Sequence, residues 1–304
     1  MAMQESQTEL ELEAISKRVG LFVGLVTLDI EYLADEPPIG NQKQVARDYA
    51  IAAGGPATNA AVTFAACGHS STIAGVLGKH AIAGMIRSDL ETYGVRITDL
   101  APNHTEPPPT SSIVITQRTG DRAVISLNAV KHQAQPNTVP ATILSAVDIV
   151  LIDGHQMAVG EAVARRARDR GISVIVDAGS WKPNFETVLA QADYVIASAN
   201  FRPPQCQTQA EVIAYLARLG IPHIAVTRGA NPICFVSRNA RGEIAVPSVP
   251  VVDTLGAGDV FHGALCHFIL NEPFEAALAD AARVAAEFCT SFGTRSWLQT
   301  FVRP

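Results

Sequence analysis

Val252-Asp253-Thr254-Leu255-Gly256-Ala257-Gly258-Asp259-Val260-Phe261 sets a turn of small residues and a carboxylate directly before an amphipathic run. Val260, Phe261, Ala264, Leu265, Phe268 and Ile269 recur at helical spacing, so the pattern predicts a helix that begins after Asp259 and runs to about Asn271. Upstream, Ile244 to Val252 is β-rich and twice interrupted by proline, which puts the motif on a strand-to-helix turn. Gly256, Ala257 and Gly258 leave the backbone uncovered, so consecutive N–H groups can point at an anion while the positive end of the helix adds its field. Asp259 stands at the rim of that cradle. A carboxylate there can take the proton of an attacking hydroxyl, which phosphoryl transfer to an alcohol requires. An Asp N-cap in an ordinary crossover would explain Asp259 alone, and would leave Asp253-Thr254 and the Gly-Ala-Gly run unexplained.

Outward from this motif, strands and helices alternate. Leu21 to Leu25 reads as an apolar strand, Ala57 to Ala66 as a helix stopped by Gly68, and Lys79 to Tyr93 as a helix with Ile82, Met85, Ile86 and Leu90 inward. Asp148 to Ile152, Ile172 to Val176, Tyr194 to Ala197 and His223 to Val226 read as strands. Between them lie the helix Gly160 to Arg170 and one opened by the capping box Thr208-Gln209-Ala210-Glu211. This rhythm, with fully apolar strands, means an α/β fold whose mostly parallel sheet is covered on both faces. Two stretches break it: Gln44 to Ile51 alternates as an antiparallel strand, and Ser111 to Thr116 with Arg122 to Leu127 flank the turn Gln117 to Asp121 as a hairpin. Asp29, placed at the carboxyl end of the first strand, lies where open α/β sheets bind ligands, and a carboxylate there can accept two hydroxyl hydrogen bonds. Asn59 offers donors and an acceptor on the first turn of a helix, and Gly54 and Gly55 open the backbone to close approach.

Gly54-Gly55-Pro56-Ala57-Thr58-Asn59, followed by Gly75-Val76-Leu77-Gly78 and Gly84, together with Asp253 to Asp259 about 200 residues later, resembles the two signatures of the ribokinase-like, or PfkB-type, carbohydrate kinases. The resemblance covers the chain after residue 18. It implies a three-layer α/β/α kinase domain over residues 19–304, a flexible tail at 1–18, and a small β-sheet lid from segments about 30–52 and 95–128. It also implies ATP and Mg2+ as partners of a sugar substrate, and a homodimer formed through the lid. The expected catalytic group is Asp259 with Gly256, Ala257 and Gly258. The expected sugar contacts are Asp29, Gly54, Gly55 and Asn59, joined by Arg122, a lid arginine aimed at the transferring phosphate or else a cross-strand surface charge. Thr227 and Gly229 in the turn after His223 to Val226, with Thr254 and Ser198, are expected beside the nucleotide, and the late helix Phe274 to Ser291 as the wall of its adenine pocket. In many members K+ is held by backbone carbonyls, here those of Asp253 and Leu255. One departure stands out. Ser198-Ala199-Asn200-Phe201 lies where many relatives carry Asn-x-x-Glu, so the acid that organises magnesium is missing, and Asp177 at the end of another strand is equally a loop acid or a helper through water. A nucleoside kinase of the same superfamily, or a non-catalytic sugar-binding relative, would carry the same motifs.

Composition agrees with a compact enzyme. The chain has 304 residues, 48% of them hydrophobic, and a net charge of −6 with no basic stripe, which argues against a nucleic-acid partner. Arg165, Arg166, Arg168 and Arg170 point several ways on a helix and read as a solvated face. Cysteines at 67, 206, 234, 266 and 289 form no Cys-x-x-Cys pair and read as buried thiols of a reducing compartment, with the cytoplasm as the expected location. The leader carries Glu5, Glu9, Glu11 and Glu13 and no apolar core, unlike a secretory signal, and no run of apolar residues reaches membrane-spanning length. No dinucleotide-binding Gly-x-Gly-x-x-Gly, P-loop or His-Glu-x-x-His pattern occurs.

Overall fold

The structure, a computed structural model, describes residues 17–238 and 240–304. The tail expected at 1–18 therefore lies outside the described residues except for Lys17 and Arg18. Arg18 is anchored, its amide donating to His69 Nδ1 at 3.3 Å and its guanidinium to Asp148 at 3.4 Å.

Among the described residues the elements are β1 (Val19–Val23), β2 (Thr27–Ala34), β3 (Asp48–Gly54), α1 (Pro56–Ala66), β4 (Ser70–Gly75), α2 (Ala81–Thr92), β5 (Val95–Asp99), β6 (Thr110–Thr116) and β7 (Arg122–Ser126). The second half contains β8 (Ile149–Ile152), α3 (Met157–Arg168), β9 (Ser173–Ala178), α4 (Phe185–Leu189), β10 (Tyr194–Ser198) and α5 (Gln209–Arg218). It ends with β11 (His223–Arg228), β12 (Asn231–Val236), β13 (Arg241–Ile244), α6 (Ala257–Phe268) and α7 (Phe274–Phe288).

A nine-stranded sheet runs β13-β12-β11-β10-β9-β8-β1-β4-β5 and is parallel from β11 to β5, with β12 and β13 added antiparallel at one edge. Each central strand is apolar on both sides: Phe22 and Leu151 face the core shared with α1, α6 and α7, while Leu21, Val23 and Val150 face the core under α3 and α4. This is the three-layer α/β fold the alternation implied. Strand order reverses at β1, which has β4 on one side and β8 on the other, and such a switch point opens a crevice at the strands' carboxyl ends. There Asp153, almost fully buried, accepts from the amides of Leu25 at 2.9 Å, Ala57 at 3.2 Å and His155 at 2.8 Å. A Cβ on Gly24 would lie 2.1 Å from that carboxylate, so only glycine fits.

The second sheet has the order β3-β2-β6-β7. β2 pairs antiparallel with β3 and parallel with β6, and β6 with β7 forms the expected hairpin. Several expected boundaries move. β5 belongs to the large sheet, so the segment 95–128 contributes to the small one only from Thr110, and β2 begins at Thr27 rather than near 30. β3 starts at Asp48, with Arg47 still donating its amide to Leu33 at 2.7 Å. Met85 lies on the outer side of α2, since Ala83, Ile86 and Leu90 already fill the buried stripe. The residues before the glycine motif are irregular after β13 ends at Ile244, and α6 begins at Ala257, two residues before Asp259, because Gly256 caps it with φ of 81°. The capping box at Thr208 and Glu211 forms as read, and α7 ends at Phe288. Among the described residues no helix is long and apolar enough to cross a membrane.

Helix α6 is buried on all sides, between α1 and α7. Its contact with α1 depends on Gly263, where a Cβ would sit 2.4 Å from the Ala60 carbonyl oxygen and 2.6 Å from Thr63 Cβ. Gly84, by contrast, is an exposed helical glycine with nothing near its missing Cβ. Gly263→Ala is expected to destabilise by about 1–3 kcal/mol through overpacking against backbone, and Gly84→Ala to stabilise by about 0.5–1 kcal/mol through helix propensity. Denaturant unfolding of both variants checks the pair, and equal midpoints would refute the close-packing account.

Candidate active site

The residues singled out from the two motifs meet where the amino ends of α1 and α6 converge. The Asn59 side-chain amide donates to Asp259 Oδ2 at 2.9 Å across 200 residues of sequence. Its orientation is fixed from behind, because Arg295 donates to Asn59 Oδ1 at 3.0 Å. A flipped amide would turn its oxygen on the carboxylate and its N–H groups on the guanidinium, so this end-to-end arrangement admits one rotamer. Arg295 is itself clamped. It donates to Asp89 Oδ2 at 3.2 and 3.3 Å, to the Ala53 carbonyl at 2.5 Å and to the Thr294 carbonyl at 3.1 Å, and lies 5.5 Å from the Tyr93 ring centre.

Asp259 is raised to about 7, first by burial and then by the neighbouring Asp177 carboxylate, against the lowering effects of the Asn59 hydrogen bond and His262. His262, one turn further along α6, holds the Gly258 carbonyl at 2.6 Å through Nδ1 and places Nε2 3.7 Å from Asp177. A carboxyl group poised near neutrality beside open space is suited to accept a proton at physiological pH.

The turn before Asp259 is built by Asp253. Its fully buried carboxylate accepts from the Leu255 amide at 2.8 Å and the Gly293 amide at 3.0 Å. The Leu255 N–H is thereby taken, and the cradle narrows from the stretch expected. Ala257 N–H reaches back to the Thr254 carbonyl at 3.3 Å, while the N–H groups of Gly256 and Gly258 have no partner among the described residues. Gly258 has open space where a Cβ would stand. Uncovered amides at the positive end of a twelve-residue helix can receive an anion.

Asp29 sits on β2 of the small sheet and not at the end of β1, because β1 ends at Val23 and the chain re-enters a strand at Thr27 in the other sheet. It pairs in register with Ala52 and Ser111, and a Cβ on Gly54 would meet its Oδ2 at 1.9 Å, so the first glycine of the early motif makes room for this carboxylate. Gly55, at φ of 104°, packs where a Cβ would lie 2.3 Å from the Leu25 carbonyl. Asp29, Gly54, Gly55 and Asn59 thus form one wall. Burial raises the Asp29 pKa, against hydrogen bonds from Ser111 and Thr27 and the charge of Arg295.

Arg122 is exposed at the start of β7, and its guanidinium donates to the Thr254 carbonyl and hydroxyl, both at 3.3 Å, while Thr254 Oγ1 donates to the Gly120 carbonyl at 3.0 Å. The hairpin tip therefore touches the anion turn, and the Thr254 hydroxyl is engaged there. Ser198 and Thr227 face each other in register at the ends of β10 and β11, Ser198 donating to the Gly179 carbonyl at 2.7 Å. Gly229, at φ of 61°, makes the exposed turn beyond. These three lie further along the same sheet edge, toward β12.

Arg295, Asp89, His262 and Glu31 escaped the sequence reading. Glu31 is fully buried on β2, accepts from Thr294 Oγ1 at 3.2 Å, and leaves Oε2 unpartnered. Burial, then the charges of Asp253 and Asp29, push it up to about 8. The only available signal for it was the alternation Thr27, Asp29, Glu31, which reads as a solvent face. Here that face looks inward.

Comparison with known proteins identifies the family. The profile of the pfkB family carbohydrate kinases matches residues 21–300. The chain is 24% identical over 272 residues to a ribokinase of Lactococcus lactis subsp. lactis, covering 86% of each. It is 23% identical over 286 residues to an ATP-dependent ribose-1-phosphate kinase of Halopiger xanaduensis, covering 91% of this chain and 93% of that one. The structure of Arabidopsis thaliana ribokinase complexed with ribose and ATP superposes with a TM-score of 0.71 at 20% identity, over 95% of this chain and 100% of the other. With a family profile that spans both motifs and the fold between them, the chain belongs to the pfkB family of carbohydrate kinases.

Proposed function

We propose that this sugar kinase transfers the terminal phosphoryl group of ATP to a hydroxyl of a sugar or sugar derivative, with Asp259 as general base. The observation that carries the reading is the Asn59–Asp259 hydrogen bond beside the open amides of Gly256 and Gly258. A hydroxyl held by Asp29 and Asn59 would lie between the Asp259 carboxylate and the anion cradle. Its oxygen bonds to phosphorus as the bond to the ADP oxygen breaks, and its proton passes to Asp259. The cradle amides meet the charge on the transferring oxygens, so positioning and electrostatics supply most of the acceleration. Arg122, already at Thr254, stands where a guanidinium can add to that stabilisation.

Mg2+ arriving with the nucleotide offsets phosphate charge when bound. Asp177, beside Asp259, is the carboxylate that would face it in place of the acid absent after β10. The carbonyls of Asp253 and Leu255 accept no hydrogen bond among the described residues, and Glu31 Oε2 close by is unpartnered, an all-oxygen set that suits K+. Ser198, Thr227 and Gly229 would flank the nucleotide, with α7 behind its base. The small sheet acts as a lid that keeps water from the phosphoryl group. Its outward face carries Tyr32, Tyr49, Ile51 and Ile125, 40%, 65%, 44% and 80% exposed, on strands that pair side by side. Such an apolar face suits a homodimer through the lid.

Asp259→Asn is expected to lower turnover at least about 10²-fold. Below pH 7 the wild-type Asp259 carboxyl is protonated and cannot accept, so kcat/KM is expected to fall about tenfold per pH unit there and to level off above pH 7. Near-wild-type turnover in the variant removes Asp259 from the role. Arg295→Lys keeps the charge but loses the fork, and is expected to cut kcat about 10–100-fold with little loss of melting temperature. Turnover that simply tracks stability would make Arg295 structural only. Tyr49→Glu is expected to convert a dimer to monomers in sedimentation equilibrium, and a monomeric wild type rules out the lid-mediated dimer.

A further inference from the structure

The two connections between the small sheet and the body bring two imidazoles and a carboxylate together. One ring nitrogen from His104, one from His132 and a carboxylate oxygen of Glu106 all lie within 4.8 Å of one another. The imidazole rings stand 4.1 Å apart between centres, and His132 Nε2 is 3.2 Å from Glu106 Oε2. His104 Nε2 is buried without a hydrogen-bond partner. Buried polar atoms are normally satisfied, and this ring has an unpartnered nitrogen while it stands beside a second imidazole and a carboxylate. We propose that His104, Glu106 and His132 form a binding site for a divalent transition metal, Zn2+ by ligand chemistry.

The donor set favours this ion class. Two neutral imidazoles and one carboxylate select zinc and its neighbours over Mg2+, which prefers oxygen alone and keeps its waters. Around zinc, bonds of about 2.0–2.1 Å put tetrahedral ligand atoms about 3.4 Å apart, so small side-chain rotations from the observed spacing complete the geometry and leave a fourth position for water.

The backbones are held for the task. The His104 carbonyl accepts from Lys79 N at 2.8 Å, and its amide donates to the Ala101 carbonyl at 2.9 Å. Gly78 is required beneath it, since a Cβ there would come within 2.6 Å of that carbonyl oxygen. The His132 carbonyl accepts from the side chain of buried Gln156 at 3.1 Å. Glu106 leads into Pro107-Pro108-Pro109, whose last carbonyl accepts from Leu28 N at 3.0 Å and Thr27 Oγ1 at 2.9 Å, the first contacts of β2. A bound ion would therefore tie the β5–β6 connection to the β7–β8 connection at the root of the small sheet. This metal is distinct from any carried by a nucleotide.

Untagged, chelator-treated wild-type protein and the variants His104→Ala, Glu106→Gln and His132→Ala are titrated with Zn2+ by calorimetry, without nucleotide, and their melting temperatures are measured with and without the ion. The wild type is expected to bind one ion that each variant binds at least about tenfold more weakly, a scale reached even by losing an outer-shell partner. Zn2+ is expected to raise the melting temperature of the wild type alone. Glu106 is exposed, so Glu106→Gln keeps the test valid should a histidine variant fold poorly. Absence of Zn2+ binding by the wild type, or equal binding by wild type and Glu106→Gln, would overturn the site.

Discussion

The arrangement depends on how closely α1 approaches α6. Only a glycine at 263 lets the second helix lie on the Ala60 carbonyl, and only that distance lets a side chain as short as asparagine reach Asp259 from the neighbouring helix. A wider spacing, as leucine or valine at the interface would impose, would separate the two motifs by more than a hydrogen bond. The glycine is therefore a length standard for the site. Arg295 completes the brace by filling the far side of Asn59 with a donor that is itself held at three other protein atoms.

Around this brace the charges are unequal. Asp29, Glu31, Asp177, Asp253 and Asp259 crowd one region, and Arg295 is the cation the Asp29 and Glu31 carboxylates share. Burial in a place poor in water, with like charges close by, favours the neutral form, and Glu31 in particular stays protonated at neutral pH. Asp253 escapes part of this through two backbone amides, whereas Glu31 has only one hydroxyl donor and is pushed up to about 8. The inward face of the small sheet sets Asp29, Glu31 and Ser111 beside the buried Ile113 and Ile115, while Tyr32, Tyr49, Ile51 and Ile125 stay exposed on the other side.

Much of the fold could be read from local pattern. Apolar strands spaced by helical segments gave the parallel sheet, and Thr208 with Glu211 gave a capping box to the residue. The motif residues Asn59 and Asp259 were readable because glycine-rich turns are rare enough to stand out. What stayed hidden depends on contacts across long separations. Nothing near Arg295 in the chain reveals Asn59 or Asp89, 236 and 206 residues away. Asp29 was expected at the carboxyl end of the first strand because the chain leaves one sheet and enters the other within three residues. Met85 fitted the helical stripe by spacing, but α2 is narrow enough that Ala83 and Ile86 already cover it.

The four strands of the small sheet are threaded through the body. Between β2 and its parallel neighbour β6 the chain builds α1, β4, α2 and β5, all of which belong to the larger layer. Parallel partners some eighty residues apart have to wait for what lies between them, so this cover forms late and slowly. It cannot be lifted out as a cassette. A recombined enzyme that exchanged the small sheet alone would have to cut the polypeptide at several places inside its own scaffold.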